Sequence, residues 1–480
     1  MSGLTFEQKE DLGFHVVRGW LEPASPYGIK RLRDEGFYGP DRQAELEQEL
    51  DNIEVLLEAG KTENAALQSV QTVLGGLKEI RGTLDACAVR TLSEAEFFDL
   101  TAFCLRIESL REKLSRLKAF ERLQGIVFKP LDGALAILHP EESGHVSFYI
   151  EDGRLPSLKE AREEKRLLEL HLRTETRERT ALLAKRQEAV LKEEKALAEI
   201  YREMSEALIP YLADLRADAE AAGRLDASLA KAALAARCHC SRPRTGSNTL
   251  HLEEAVHPQI EAALKMHGRR FTPLTVDLPR GVSVITGANM GGKSVALKTI
   301  MLNTALALSG CFVFCKKAEI PAFARLELIN RDLSDAERGL SSFGGEILRF
   351  GEAVSRLGEG LSFIAMDEFA RGTNTEEGEA IARAAVSFLA DQNAISLLTT
   401  HYDHTAELAA RHYQVKGLKK LESLPAQDAP AGTQTDRLRV IEAAMDYGLI
   451  EVEPGTECPK DALTICRLLG MDERILEKLP

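Results

Sequence analysis

Apolar residues recur at three-and-four spacing among charged neighbours over 45–59 and 97–117, and this predicts a mostly helical segment from 1 to about 128. The pattern changes between about 129 and 156. Ala134-Leu135-Ala136-Ile137-Leu138 and Val146-Ser147-Phe148-Tyr149-Ile150 read as strands, and the Pro140 and Gly144 between them suggest a hairpin or small sheet. Long helix returns from 157 to about 222. Leu183, Val190, Leu197, Met204 and Tyr211 fall on every seventh position, widened by Ile200, Leu208 and Leu215. That stripe fits an antiparallel coiled-coil or lever arm, and equally a core-facing helix of an ordinary bundle. Pro210 is expected to kink or break it, since proline removes an N–H and clashes one turn back. The lever runs to 235 in this division. Residues 236–250, rich in Ser, Arg, Pro, Thr and Gly, read as a linker into a last domain over 251–480.

In that last domain the period shifts to short buried strands alternating with helices. Residues 282–286, 361–366 and 395–398 are strand-like, and 295–308 has helical apolar spacing without proline. Such alternation predicts a mostly parallel sheet covered on both faces, with ligand at the strand C-termini. Residues 425–434, with two Pro and one Gly, read as a loop or insertion.

Between the first strand and its helix stands Gly287-Ala288-Asn289-Met290-Gly291-Gly292-Lys293-Ser294, a complete G-x-x-x-x-G-K-[ST] phosphate loop. Its backbone N–H groups, at Gly287, Asn289, Gly291 and Gly292 among others, are suited to cradle the α- and β-phosphates of ATP at a helix N-terminus. Lys293 reaches the β/γ-phosphates and the Ser294 hydroxyl takes a Mg²⁺ position. Phosphoryl transfer needs a second carboxylate-bearing element. Asp367, at the end of the apolar strand 361–366, is the expected second Mg²⁺ contact, and Glu368 the expected general base. His401, after the strand 395–398, is placed to sense the γ-phosphate.

Composition narrows the class. The chain has 480 residues, 44% hydrophobic and 28% charged, which fits a globular protein of about three domains. No stretch reaches transmembrane length and no apolar N-terminal segment follows a basic one, so a cytoplasmic protein without membrane contact is expected. The net charge of −14 argues against a dedicated nucleic-acid binder, although a local basic groove can outweigh the global sign. Residues 159–203 interleave Lys and Arg with Glu as a solvated helix face does, leaving Arg173, Arg177 and Arg179 as the best phosphate contacts there. Of the eight cysteines only Cys238 and Cys240 cluster, too closely for a C-x₂-C zinc knuckle. Free thiols, and no metal beyond Mg²⁺, are expected.

Several of these segments together resemble the MutS family. Thr286 to Ser294 is similar to its phosphate loop, with Ala288 where proline is usual. Asp367-Glu368-Phe369-Ala370-Arg371-Gly372-Thr373-Asn374-Thr375, then Gly378, is similar to its metal-and-base strand and following loop, and Thr399-Thr400-His401-Tyr402 to its histidine switch. Ser341-Ser342-Phe343, followed by Glu346, looks like the segment that one subunit inserts against its partner's ATP. Phe271 falls where the family stacks an aromatic on adenine, and His257-Pro258 where the ATPase domain opens. Upstream, Asp11-Leu12-Gly13-Phe14 with Ser25-Pro26-Tyr27-Gly28 looks like the opening of the helical core, and Leu225-Asp226 with Ser228-Leu229-Ala230 like the end of its returning helix. Ser143 to Glu151 is similar to a strand segment of the second bacterial branch.

The resemblance implies an ABC-type P-loop ATPase domain preceded by a helical core and lever, a homodimer with Ser341 as a trans ligand, and Glu368 and His401 in catalysis. It starts at the helical core, as in a short form without mismatch-binding and connector domains. The Phe-x-Glu at Phe350-Gly351-Glu352 falls inside the ATPase domain, where it cannot be the mismatch wedge. Three functions follow as expectations. The first is an ATPase whose closure is coupled to DNA of particular structure. The second is a protein-remodelling ATPase, such as the reactivase partner of a cobalamin-dependent lysine aminomutase. The third is a non-hydrolysing scaffold.

Overall fold

The computed structural model describes residues 3–138, 150–174, 179–287, 292–330, 342–418, 445–457, 466 and 471–476. The chain divides into two compact units that interleave in sequence. One comprises Met1–Glu22, Glu35–Glu54 and Lys231–Pro480, the other Pro23–Asp34 and Val55–Ala230. The linear boundaries expected from the sequence cut across this division.

The first unit is built on two sheets. Strands β1 (Arg244–Thr245), β2 (Leu250–Ala255), β3 (Leu274–Leu278) and β5 (Lys317–Ile320) form a four-stranded sheet in the order β1-β5-β2-β3. Strands β4 (Gly281–Thr286), β6 (Arg325–Ile329), β7 (Ser362–Asp367), β8 (Ala394–Thr399), β9 (Arg411–Leu418) and β10 (Met445–Val452) form the larger sheet, in the order β10-β9-β4-β8-β7-β6. All its pairings are parallel except β10 with β9. Every residue of β4 and β8 is buried, as in a parallel sheet covered on both faces. The helix Lys293–Leu308 is almost wholly buried. The helices Ser342–Ser355 and Thr375–Ala390 bring Phe343, Ile347, Phe350, Ala385, Val386 and Leu389 onto a core with Ile364, Met366 and Phe369.

Two anchors fix this unit. Lys231, buried, donates to Glu35 at 2.9 Å, to Glu49 at 3.0 Å and to the Ser309 carbonyl just past the helix Lys293–Leu308. Burial alone would lower its pKa; the two carboxylates outweigh that and hold it charged, above its usual value. Arg242 pairs with Glu47, Asp51 and Glu54. The stretch expected as a linker is therefore ordered: it holds the end of the helix Leu212–Cys238, the Arg242 cluster, β1 and the start of β2. Polar composition suggested a loop, but these polar groups are spent on ion pairs and on the edge pairing of β1 with β5.

The second unit is helical. The helices Pro156–Thr174 and Arg179–Leu208 pack along each other, joined by Arg162–Glu193, Lys165–Glu193, Arg186–Glu169 and Lys192–Glu164, a set of pairs that runs antiparallel. Buried on the second helix are Ala189, Ala196, Ile200, Met204, Ser205 and Leu208. Leu183 is exposed, and Val190 and Leu197 are only half-buried. Of the seven-residue series within this helix only Met204 is buried. Pro210 lies in a 3₁₀ turn, Ile209–Tyr211, that separates this helix from Leu212–Cys238.

One strand expectation is corrected. Ala134 to Leu138 lies in the helix Asp132–Leu138, which buries Ala134 and Leu138. Alanine and leucine are strong helix formers, and two buried residues four apart share a helical face. The companion stretch 146–149 and the loop 425–434 lie outside the described residues. Within this unit the two upstream motifs meet. The Asp226 carboxylate accepts the Ala24 and Ser25 N–H groups, at 2.9 and 2.7 Å, and the Ser25 hydroxyl at 2.6 Å. A Cβ on Gly28 would sit 2.1 Å from that carboxylate, so only glycine fits.

Candidate nucleotide site

The site gathers at the C-terminal ends of β4, β7 and β8. β4 runs into Gly287, whose φ of +143° and contact with Val415 (3.1 Å from a would-be Cβ) both call for glycine. Gly292, at φ +91°, caps the helix that starts at Lys293. The Lys293 side chain is buried and donates to the Gly287 carbonyl at 2.7 Å. One residue on, the Ser294 hydroxyl donates to Asp367 Oδ1 at 2.9 Å, and the same oxygen accepts the Thr399 hydroxyl at 2.7 Å.

Glu368 follows with its N–H bound to the carbonyl and hydroxyl oxygens of Thr399, at 3.1 and 2.9 Å. Its carboxylate lies 3.9 Å from the Lys293 ammonium and pairs with Arg371. Two adjacent carboxylates at the head of a buried strand are thus compensated by hydroxyls and two cations. Thr400 continues the strand end with an N–H bond to the Ile285 carbonyl at 3.0 Å. His401 follows, with its ring 4.4 Å from that of Tyr402.

A cavity of about 870 Å³ opens beside these groups. Gly292, Lys293, Ser294 and Glu368 line one part; Phe271 and Thr272, with Ile260 and Leu264 of the helix Pro258–Met266, line another. A nucleotide-sized cavity lined by both apolar and charged side chains suits a base together with its phosphates. Six of the residues expected at the site therefore lie together: Gly292, Lys293, Ser294, Glu368 and Phe271 around the cavity, and Asp367 bonded to Ser294. Gly287 holds the lysine from behind. His401 does not line the cavity, and Asn289, Gly291 and Ser341 lie outside the described residues.

Sequence reasoning missed the far wall. Met445, Tyr447 and Leu449 of β10, and His267, Arg269 and Arg270 before Phe271, also line the cavity. The Tyr447 ring stands over Gly292, where a Cβ would come within 3.2 Å. The period-two spacing of Met445, Tyr447 and Leu449 was a readable strand signal. That it faces the phosphate loop depends on the pairing of β10 with β9, which no local pattern gives. Among the described residues no group of three His, Cys, Asp or Glu could hold a metal by itself. Ser294 and Asp367 nonetheless present hard oxygens at one point, as a Mg²⁺ site completed by phosphates and water requires.

Residues 283–463 match the family described as MutS domain V. Among similar proteins are the DNA mismatch repair protein MutS of Haloquadratum walsbyi, 29% identical over 73% of this chain and 38% of that protein, and that of Natronomonas pharaonis, 29% identical over 49% and 28%. The endonuclease MutS2 of Caldanaerobacter subterraneus subsp. tengcongensis is 30% identical over 60% of this chain and 34% of that protein. The chain thus spans about a third of the length of the curated relatives it matches. Among its described residues no helix is long and apolar enough to cross a membrane. With the phosphate loop and the Asp367–Glu368 strand end falling inside the matched residues, this part of the chain is a MutS domain V, a P-loop ATPase domain.

Proposed function

We propose that this chain binds and hydrolyses ATP·Mg as a cytoplasmic homodimer and couples that cycle to DNA of particular structure rather than to a mismatched base. The observation that carries the reading is Asp367. One carboxylate oxygen accepts Ser294, while the next residue, Glu368, shares a cavity with Lys293.

In this reading the N–H groups of residues 287–292 and the Lys293 ammonium bind the phosphates. Lys293 exchanges the Gly287 carbonyl for a phosphate oxygen when ATP enters. Ser294 and Asp367 hold Mg²⁺, which neutralises charge developing on the phosphates. Glu368 accepts a proton from the attacking water, and Arg371 sets the direction of its carboxylate. Phe271 stacks on adenine, His401 reads the γ-phosphate, and Ser341 of the partner subunit completes the site, so that ATP closes the dimer and hydrolysis reopens it. The antiparallel helices Pro156–Thr174 and Arg179–Leu208 serve as the arm that moves.

The test is turnover of MgATP by the purified chain, with and without branched and plain duplex DNA, over a salt series. Stimulation by branched DNA that falls steeply with salt supports the reading, because phosphate contacts release counterions. Turnover with no response to any DNA removes the DNA part, and no turnover in a dimer favours the scaffold. One observation favours a protein client instead. The net charge is −14, and Arg162, Lys165, Arg186 and Lys192 of the arm are all paired with glutamates. A client protein that raises turnover where DNA does not would establish that alternative.

A further inference from the structure

Directly after β7 the backbone twists. Glu368 and Ala370 hold left-handed conformations, at φ +50° and +63°. This region is unfavourable for an L-residue other than Asn or Asp. Such strain persists only where the surroundings over-determine the chain, and it gathers at functional sites.

The surroundings here can be named. Phe369, between the two twisted residues, is buried with its ring 5.1 Å from that of Phe350. The Ala370 residue is gripped at both of its polar groups. Its N–H donates to Glu346 Oε2 at 3.1 Å, and its carbonyl accepts the Tyr402 hydroxyl at 3.2 Å. Both gripping side chains are out of solvent: Glu346 is 1% exposed and Tyr402 4%. Glycine at 378 makes room for the Tyr402 hydroxyl, since a Cβ there would lie 2.2 Å from it.

We infer that Glu346 and Tyr402 are positioning residues for Glu368. By fixing the Ala370 peptide they hold the twist that turns Phe369 into the core and leaves the Glu368 carboxylate in the cavity with Lys293 and Ser294. Glu346 lies on the helix Ser342–Ser355, and Tyr402 is the neighbour of His401. One residue, held at the peptide groups on both of its sides, thus ties the base to the element that follows residue 341 and to the strand end that carries the histidine. A shift of either element reaches Glu368 through Ala370. The inference rests on the reading of Glu368 as the base.

The test uses the full chain with Glu346→Ala, Glu346→Gln and Tyr402→Phe, each alone and combined with Glu368→Gln, reading kcat, KM and nucleotide affinity. Tyr402→Phe, which removes one oxygen, is expected to lower kcat about fivefold, the loss of one net hydrogen bond, with ATP affinity within about twofold. Glu346→Ala is expected to lower kcat about tenfold or more, and Glu346→Gln, which keeps an acceptor oxygen, to recover most of that. In the Glu368→Gln background neither site lowers residual turnover further, because both act through that carboxylate. Unchanged kcat in Tyr402→Phe and Glu346→Ala, or equal losses with and without Glu368, would overturn the inference while leaving the base in place. A Glu368→Gln variant turning over at the parental rate would overturn the base reading and the inference with it. Should Glu346→Ala not fold, Tyr402→Phe and Glu346→Gln decide the matter.

Discussion

The Lys293 ammonium donates to the carbonyl oxygen of Gly287, six residues earlier, at 2.7 Å, with the Glu368 carboxylate 3.9 Å away. The lysine is thus buried, charged and satisfied by groups on two different strand ends. Replacing it with alanine removes the one buried cation at the phosphate loop among the described residues. ATP affinity is expected to fall roughly a hundredfold in Lys293→Ala, the loss of a charged hydrogen bond of about 3 kcal/mol. Glu368→Gln is expected to leave affinity within about twofold and to lower turnover about a hundredfold or more, to a small residual rate, since only water activation is lost. Equilibrium binding of a fluorescent ATP analogue to both variants checks this; an equal loss of affinity in the two contradicts the division of roles.

Phe271 lies in the cavity wall with Leu264 and Ile260. An aromatic face is the feature of that wall suited to a base, and stacking on such a ring is worth about 1–3 kcal/mol. Phe271→Ala is therefore expected to weaken ATP binding about tenfold while weakening inorganic triphosphate little, so that the preference for the nucleotide narrows. Competition of ATP and triphosphate for the same site measures it. Equal weakening of both would place the ring away from the base.

The motifs told more than the periodicity did. Lys293, Ser294, Asp367 and Glu368 were readable because a phosphate loop and an acidic strand end are short, contiguous and chemically constrained. Their geometry follows once the strands are parallel and adjacent. The strands β4, β7 and β8 were readable for a similar reason, being buried runs of fixed length. Ala134 to Leu138 was misread because a five-residue apolar run has no visible period, and only the neighbours of Ala134 and Leu138 decide for helix. Tyr447 and the grip of Glu346 on Ala370 were out of reach. Each depends on residues 24 or more positions apart meeting in space, and a backbone twist at Ala370 leaves no mark in composition.

Asp226 collects three donors from the segment Ala24–Ser25, more than 200 residues away. Burial pushes its carboxyl above the usual aspartate range, and those three hydrogen bonds act against the shift. Asp226→Ala leaves two backbone N–H groups and a buried hydroxyl without their acceptor. Destabilisation of about 3 kcal/mol or more is expected, against about 1–2 kcal/mol for Ser25→Ala, which removes one donor to Asp226 and the acceptor of the Gly28 N–H. Urea unfolding followed by far-UV circular dichroism compares them. Similar midpoints for Asp226→Ala and the parent would mean that the carboxylate is not the anchor of this segment.

Two buried groups give the stability opposite pH dependences. Asp218, which accepts the Lys129 N–H at 2.7 Å, is raised by burial from 3.8 to about 6. His257, which caps the helix Pro258–Met266, is lowered by burial from 6.5 to about 4. Between pH 3.8 and 6 the folded chain holds the Asp218 proton that the unfolded chain has released. The contribution of this group is therefore complete below about pH 3.8 and lost as pH rises through about 6. For His257 the unfolded chain binds the extra proton between pH 6.5 and 4, so its contribution is complete above pH 6.5 and lost on acidification through that window. Asp218→Asn, which keeps an acceptor for Lys129 and carries no charge, is expected to raise the denaturant midpoint above pH 6 and to have little effect or lower it at pH 4. His257→Asn, which retains a capping oxygen, is expected to flatten the loss of stability between pH 6.5 and 4 without changing the slope above pH 7. Denaturant midpoints of the parent and both variants from pH 4 to 8 separate the two groups. An Asp218→Asn midpoint that tracks the parent at every pH would show that its carboxyl titrates alike in the folded and unfolded chains.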